Sequence, residues 1–301
     1  MLTQDLMKEV RRLQVRTKRR VEGLFAGEYH TAFKGRGIEF ADVREYEPGD
    51  DVRAIDWNVT ARSGKPFIKR FVEERELTVF LAVDLSASEV FGSASGPGSR
   101  LKRRIAIEAA AVLALSASAN HDRVGLCLFT DDVELFLPPG KGRGNSSRLL
   151  RELLSFEPRS KGTDLGRVLL RLGHVLPRRG IVFLLSDFLT PGGVASFERP
   201  LRLLARKQEV IGLHITDPRE SELPDVGIVE VVDPETGKLQ LLDTSSRSMR
   251  TRYKAAALKR EAELAEVFGR TKSDRVVLRT DRPFVTDLVR YFQMRERRRS
   301  L

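Results

Sequence analysis

The sequence predicts an α/β fold with a doubly wound, mostly parallel sheet. Two apolar runs, residues 77–83 and 181–186, are typical of strands buried on both faces, and each ends on an aspartate, Asp84 or Asp187. Strand-like and helix-like segments alternate around these runs, as they do in doubly wound sheets. The chain has 301 residues, of which 41% are hydrophobic, so it is long and apolar enough to bury a large core.

The spacing of apolar residues predicts the other elements in order. Helices are expected over residues 2–25, 100–120, 146–155, 165–176, 197–208, 246–269 and 284–294. Further strands are expected over residues 124–130, 133–139, 210–216 and 275–280, and the first two of these form a hairpin. Two alternating runs flank the turn sequence PETG, which predicts an added β-hairpin over residues 226–244.

The composition changes before the first buried strand. Residues 27–76 are dense in glycine, charged and aromatic residues, which predicts short strands and turns. We therefore expect a helical N-terminus and a small β-rich region over residues 1–75, a main α/β domain over 76–294, and a basic tail over 295–301. The charges of the β-rich region either form a network of ion pairs that locks this region onto the α/β domain, with Trp57 as its apolar anchor, or bind a partner, and we favour the first interpretation.

The composition also bears on location. A single cysteine, Cys127, lies in an apolar run, so the chain cannot form an internal disulfide, and this composition suits a reducing compartment. The N-terminal segment mixes acids and bases and does not resemble a secretory signal. The longest weakly polar stretch, residues 106–119, contains Glu108 and is shorter than a membrane-spanning helix. We expect a soluble, cytoplasmic protein.

The net charge of +11 is concentrated at the two ends of the chain. Residues 1–20 hold seven Lys or Arg against two acids, and residues 295–299 hold four Arg against one Glu. Such termini can serve an acidic partner, a membrane surface or RNA. Nucleic-acid binding through the basic termini is therefore an alternative function, although no aromatic residue that could stack on bases occurs before Phe25.

A candidate metal site follows the first buried strand. Asp84, Ser86 and Ser88 lie where this strand opens into a loop, at the sheet edge where α/β proteins bind ligands. Three small oxygen ligands suit a hard cation such as Mg²⁺. The alternative is that Asp84 and Ser86 merely cap the following helix.

This D-x-S-x-S pattern resembles the first segment of the metal-ion-dependent adhesion site of von Willebrand factor A domains. The family's two later positions, a loop threonine and an aspartate after a buried strand, are matched by Thr163 in SKGTDLG and by Asp187. The strings GRGIEF, REYEPGDDVRAIDW and TARSGKPFIKRF narrow the resemblance to a bacterial von Willebrand factor A-like family of uncharacterised function. Its members are commonly encoded beside MoxR-type AAA+ ATPases, and the match covers about residues 25–215.

The resemblance implies a function in protein binding. The five ligands Asp84, Ser86, Ser88, Thr163 and Asp187 would leave one coordination position of the cation open to an acidic side chain of a partner. We expect Mg²⁺, with Mn²⁺ or Ca²⁺ as alternatives, and an adaptor that couples a MoxR-type ATPase to protein substrates. Glu89, Asp164 and Phe188 lie beside the predicted site and are expected to contact the partner. Relatives often carry Met where Glu89 stands, so Glu89 either adds a ligand or fills the open position.

A metal-dependent hydrolase is a further alternative. The chain departs from haloacid dehalogenase phosphatases, which would require a second aspartate where Ser86 stands. Its four histidines do not show a metal-ligand spacing. Asp164 or Glu89 remains available as a base near the predicted cation. We favour a binding module over an enzyme.

Overall fold

The fold is described from a computed structural model of the chain. It describes residues 29, 32–33, 39–72, 77–90, 101–177, 179–232 and 239–299. The helix predicted over residues 2–25 lies outside these residues. The chain divides into two compact units, of which the smaller is Phe33–Leu77 and the larger comprises the remaining residues.

The smaller unit combines a two-stranded sheet with one short helix. Its elements are β1 (Glu39–Glu45), α1 (Trp57–Ser63) and β2 (Phe67–Val72), and β1 pairs antiparallel with β2. Asp56 begins α1 by accepting hydrogen bonds from the amides of Asn58 and Val59, and Gly64 ends it in the left-handed conformation, with φ of 72°. The sequence predicted the strands of this region but not the helix.

The charges of the smaller unit pair locally. Arg44 contacts Asp50 at 2.6 Å, and Lys65 contacts Glu45 at 3.1 Å. Both pairs join residues of the smaller unit, and because most of these side chains are exposed each pair contributes little stability. The predicted network of ion pairs to the α/β domain stays a prediction. The expected role of Trp57 as an apolar anchor is wrong, since this side chain is 69% exposed.

The larger unit is built from eight strands and six helices among the described residues. The strands are β3 (Thr78–Asp84), β4 (Arg123–Phe129), β5 (Val133–Gly140), β6 (Ile181–Ser186), β7 (Glu209–Thr216), β8 (Ile228–Val232), β9 (Leu239–Asp243) and β10 (Asp274–Arg279). The helices are α2 (Lys102–Ala119), α3 (Gly142–Ser155), α4 (Leu165–Val175), α5 (Ala195–Ala205), α6 (Arg247–Thr271) and α7 (Phe284–Arg299).

Six of these strands form the central sheet, in the order β10-β7-β6-β3-β4-β5. All neighbours are parallel except β5, which is antiparallel to β4 at the edge. The prediction of an α/β fold with a mostly parallel sheet is therefore confirmed. Strands β8 and β9 form the separate antiparallel hairpin expected between residues 226 and 244.

Strands β3 and β6 are apolar because both faces of the sheet are covered. Every residue of β6 is buried, as is every residue of β3 after Thr78. On one face Phe80 and Ala82 share a core with residues of α4, α5 and α6. The other face meets α2, whose alanine-rich middle allows a close approach to the strands. This packing fixes the strand ends that carry the candidate site.

Helix α7 extends five residues beyond its predicted end at residue 294. Arg295 is buried except for 13% of its side chain; it forms an ion pair with Glu209 and lies 3.6 Å from Asp274. Its Nε also donates a hydrogen bond of 3.1 Å to the carbonyl of Ala32. Arg295 is thus part of a packed helix rather than of a free basic tail.

Candidate metal centre

The two predicted carboxylates lie at the carboxyl edge of the central sheet. Asp84 is the last residue of β3, and Asp187 directly follows β6, the strand beside it. The chain passes from β3 to β4 on one side of these two strands and from β6 to β7 on the other. Open α/β sheets bind ligands in the crevice at such a reversal of strand order. The fold therefore brings Asp84 and Asp187 to the position where a ligand site is expected.

The loop after β3 is folded around the carboxylate of Asp84. The Ser86 amide donates a hydrogen bond to Asp84 Oδ1 at 2.9 Å, and the Ser186 hydroxyl donates one to Asp84 Oδ2 at 2.7 Å. The Ser86 and Ser88 hydroxyls lie 3.1 Å apart. All of these side chains are buried. The D-x-S-x-S residues thus form one buried cluster, and a single turn of 3-10 helix over Ala87–Val90 follows Ser86.

The segment that carries Thr163 is hydrogen-bonded to this loop. The Ala87 amide donates to the carbonyl of Lys161 at 3.0 Å, and the side chain of Thr163 is 4% exposed. The next residue, Asp164, is exposed and caps α4 by accepting the Arg167 amide at 2.9 Å. The structure therefore places Thr163 beside the Asp84 loop and leaves the side chain of Asp164 accessible to solvent.

Glu89 joins the two aspartates in the centre of the cluster. One carboxylate oxygen from each of Asp84, Glu89 and Asp187 lies within 4.8 Å of the other two, and all three residues are buried. Neither oxygen of Glu89 accepts a hydrogen bond from the part of the chain that the structure describes. Burying a carboxylate without a hydrogen-bond donor is costly, so the two oxygens of Glu89 are candidates to bind a ligand or a counter-ion.

The charges of the cluster disfavour full ionisation without such a counter-ion. Burial, and then the neighbouring carboxylate of Asp187, raises the pKa of Asp84 to about 7. Burial also raises the pKa of Glu89 well above its ordinary value, with a further contribution from Asp187, while the ammonium group of Lys102 acts against this rise. A bound cation would favour the ionised forms of both groups.

Two charged residues of the site carry no signal in the sequence. Lys102 is completely buried, and its Nζ lies 2.5 Å from Asp187 Oδ2 and 2.5 Å from Glu220 Oε1. Burial lowers the pKa of Lys102, but the carboxylates of Asp187, Glu89 and Glu220 outweigh it, so the group stays charged. In the sequence, Lys102 is one base in the stretch LKRR and Glu220 is one acid in a turn, and only the folded chain brings them together.

Two of the three residues expected to contact a partner are buried. Phe188 is 4% exposed, its backbone has a positive φ of 55°, and its ring packs against Phe197 and Phe268. Glu89 is fully buried among the carboxylates. Of the three, Asp164 is the one that the structure leaves at the surface.

A cavity of about 500 Å³ adjoins the cluster. Its lining includes Asp187, Phe188 and Glu220, and also Tyr253 and Leu258 of α6. The Tyr253 hydroxyl donates a hydrogen bond of 3.0 Å to the carbonyl of Arg219, which fixes α6 beside the turn that carries Glu220. The cavity is large enough for one or two side chains of a partner.

Comparison with known proteins identifies the family. Residues 42–263 match the family model described as protein of unknown function DUF58. The chain belongs to the DUF58 family. The DUF58 chain is also 33% identical over 290 residues to uncharacterized proteins of Mycobacterium bovis and Mycobacterium tuberculosis, with 96% of this chain and 89% of each relative covered. The von Willebrand factor A and MoxR parts of the resemblance stay predictions.

Solved structures similar to the DUF58 chain are more distant. The conserved hypothetical protein BatB from Bacteroides thetaiotaomicron is 16% identical, with 73% of this chain and 99% of that chain covered and a TM-score of 0.44. An aerotolerance-related membrane protein from Bacteroides fragilis is 15% identical, with 74% and 99% covered and a TM-score of 0.48.

The expected cytoplasmic location is contradicted, because the Bacteroides fragilis protein is described as a membrane protein. Within the described residues of the DUF58 chain, no helix combines the length and the apolar character needed to cross a bilayer. The expected location depended on three features of the sequence: a secretory signal, a disulfide and an apolar span. None of these features reports on attachment to a membrane through a charged surface or through a partner, so the argument could not establish a cytoplasmic location.

Proposed function

We propose that this DUF58 chain is a protein-interaction module that depends on a divalent cation, with Mg²⁺ as the preferred ion. The observation that carries the proposal is the carboxylate of Glu89, which is buried without a hydrogen-bond donor beside Asp84 and Asp187. An oxygen-lined site with excess negative charge suits a hard cation.

The charges of the site fit a divalent ion. Asp84, Glu89, Asp187 and Glu220 supply four carboxylates, against which Lys102 is the ammonium group in contact with Asp187 and Glu220. One divalent ion would offset most of the remaining charge, which is costly to bury unpaired. Asp84, Glu89 and the hydroxyls of Ser86, Ser88 and Thr163 would hold the cation. Asp187 would act through water, because its Oδ1 accepts a hydrogen bond from the Leu189 amide and its Oδ2 accepts one from Lys102 until the cation binds.

The proposal of protein binding rests on the fold of the site and on the cavity beside it. When the six strands of the central sheet are numbered along the chain, their order from β5 to β10 is 3-2-1-4-5-6, and the D-x-S-x-S loop follows the first strand. This arrangement supports the resemblance to von Willebrand factor A domains. An acidic side chain of a partner would approach the cation through the cavity lined by Asp187 and Phe188 and would replace the water through which Asp187 acts. A MoxR-type AAA+ ATPase is the partner that the resemblance favours.

The first test is a variant that should bind the cation more weakly. Asp84→Asn is expected to weaken Mg²⁺ binding by at least about 100-fold in isothermal titration calorimetry, because it removes one charged ligand. The control is Asp274→Asn, which makes the same change at the amino edge of the sheet, where Asp274 accepts a 2.7 Å hydrogen bond from Tyr291. This control should bind Mg²⁺ as the unmodified chain does, and titrations with Mn²⁺ and Ca²⁺ rank the three ions.

Partner capture is the second test. A MoxR-type ATPase from the same organism should be retained by the immobilised chain in Mg²⁺ and released by a chelator, and the Asp84→Asn variant should not retain it. Cation binding without Mg²⁺-dependent retention would argue against the interaction module but not against the metal site. Absence of cation binding by the unmodified chain would overturn the whole proposal.

A further inference from the structure

Lys102 stands in a position that is unfavourable for a lysine. It is the first residue of α2, where the helix dipole repels a positive charge, and its side chain is fully buried. Burying an ammonium group is costly unless carboxylates surround it. An apolar residue at the start of this helix would have a lower free-energy cost of burial. We therefore expect Lys102 to have a role in the site.

The ammonium group of Lys102 is shared between two carboxylates of different surroundings. Asp187 belongs to the cluster with Asp84 and Glu89, with 1% of its side chain exposed, whereas Glu220 lies at the edge of the site, with 22% exposed. Glu220 is held in place from its other end, because its Oε2 accepts a 3.0 Å hydrogen bond from the Asp217 amide in the turn after β7. Glu220 therefore offers Lys102 a fixed partner that is not one of the three clustered carboxylates Asp84, Glu89 and Asp187.

We propose that Lys102 competes with the divalent cation for Asp187 and that Glu220 retains the ammonium group when the cation binds. This inference rests on the proposed cation site and assigns its affinity to two residues that do not hold the ion. Both the cation and the ammonium group are attracted to Asp187 and repel each other across a few ångströms of buried space. The contact with Glu220 lets Lys102 leave Asp187 without losing all of its pairing.

Removal of the competing charge should tighten cation binding. Lys102→Met is expected to lower the dissociation constant for Mg²⁺ by at least about tenfold in calorimetric titration. Lys102→Gln keeps a hydrogen-bond donor between Asp187 and Glu220 but removes the charge, and it should tighten binding to a similar extent. Agreement of the two variants separates the effect of charge from the effect of altered packing.

Removal of the second partner should have the opposite effect. In the Glu220→Gln variant the ammonium group has Asp187 as its charged hydrogen-bond partner, so the Mg²⁺ dissociation constant should rise about tenfold. In the Lys102→Met background the same Glu220→Gln change should have a smaller effect, because only the direct attraction between the Glu220 carboxylate and the cation remains. A general electrostatic effect of Glu220 would instead give the same change in both backgrounds, and a double-mutant cycle measures the difference.

The outcomes separate this inference from the proposed function. If the unmodified chain binds Mg²⁺ and both Lys102 variants bind it with unchanged or weaker affinity, Lys102 is not a competitor and the inference is overturned. An equal effect of Glu220→Gln in both backgrounds overturns the role of Glu220. A Lys102 variant that requires Mg²⁺ to fold supports the inference if it folds at Mg²⁺ concentrations below those that saturate the unmodified chain, and contradicts it otherwise.

Discussion

Replacement of Phe268 by alanine is expected to lower the free energy of unfolding by about 3–5 kcal/mol. Phe268 is 2% exposed, and its ring meets the ring of Phe188 edge to face, with 5.3 Å between centroids. The site cannot collapse easily around a smaller side chain, because the neighbouring position, Gly212, contributes no side chain to fill it. A Cβ atom at Gly212 would lie 2.4 Å from Phe268 Cζ.

Urea denaturation of the Phe268→Ala variant measures this loss. Leu258→Ala is the control on the same helix, because Leu258 is 61% exposed and its truncation should change stability by less than about 0.5 kcal/mol. A loss below about 1 kcal/mol for Phe268→Ala would contradict the packing of α6 on the sheet. The variant should also bind Mg²⁺ more weakly, since Phe268 supports Phe188, the residue next to Asp187.

The sequence predicted the centre of the fold because burial on both faces leaves a strong pattern. Strands β3 and β6 lie in the middle of the sheet, so they appear as continuous apolar runs, and the aspartates that end them fall at one edge. The short helix α1 was not predicted, because it has seven residues and lacks an apolar face of its own. Its capping residues, Asp56 and Gly64, were the available signal.

The candidate site was predicted only in part. Its D-x-S-x-S loop lies within five residues and can be recognised as a local pattern. Lys102 and Glu220 cannot, because their importance comes from burial and from contacts between α2, the Asp187 loop and the turn after β7. Phe188 was assigned to the surface because it follows Asp187 in a loop, and nothing in the sequence shows that its backbone adopts a positive φ.

In the presence of a chelator, the stability of the unmodified chain is expected to fall as pH rises from 5 to 8. Burial raises the pKa of Asp84 from 3.8 to about 7, so in this range the folded chain holds a proton that the unfolded chain has released. The stability that this proton provides is complete below pH 3.8 and is lost as pH rises through 7. Asp84 alone accounts for a fall of about 2–3 kcal/mol, and Glu89 acts in the same direction.

His214 makes stability rise with pH over part of this range. The Asp84→Asn variant separates this effect from that of Asp84. Burial lowers the pKa of His214 to about 4, so stability from this residue rises with pH up to about 6.5, the ordinary pKa of histidine. The Asp84→Asn variant retains His214 but has no carboxylate at position 84. Its stability should therefore gain about 2–3 kcal/mol relative to the unmodified chain between pH 5 and 8, as measured by urea denaturation in chelator.

Excess Mg²⁺ should reverse the pH dependence of the stability of the unmodified chain. The cation binds the ionised carboxylates, so its stabilising effect grows as Asp84 and Glu89 lose their protons, and the Mg²⁺-induced rise in Tm should increase from pH 5.5 to pH 8. The Asp84→Asn variant should show little Mg²⁺-induced rise at either pH. A Tm increase that is the same at both pH values would mean that the ion binds elsewhere on the chain, because the protonation of these two buried carboxylates and the binding of a cation between them exclude one another.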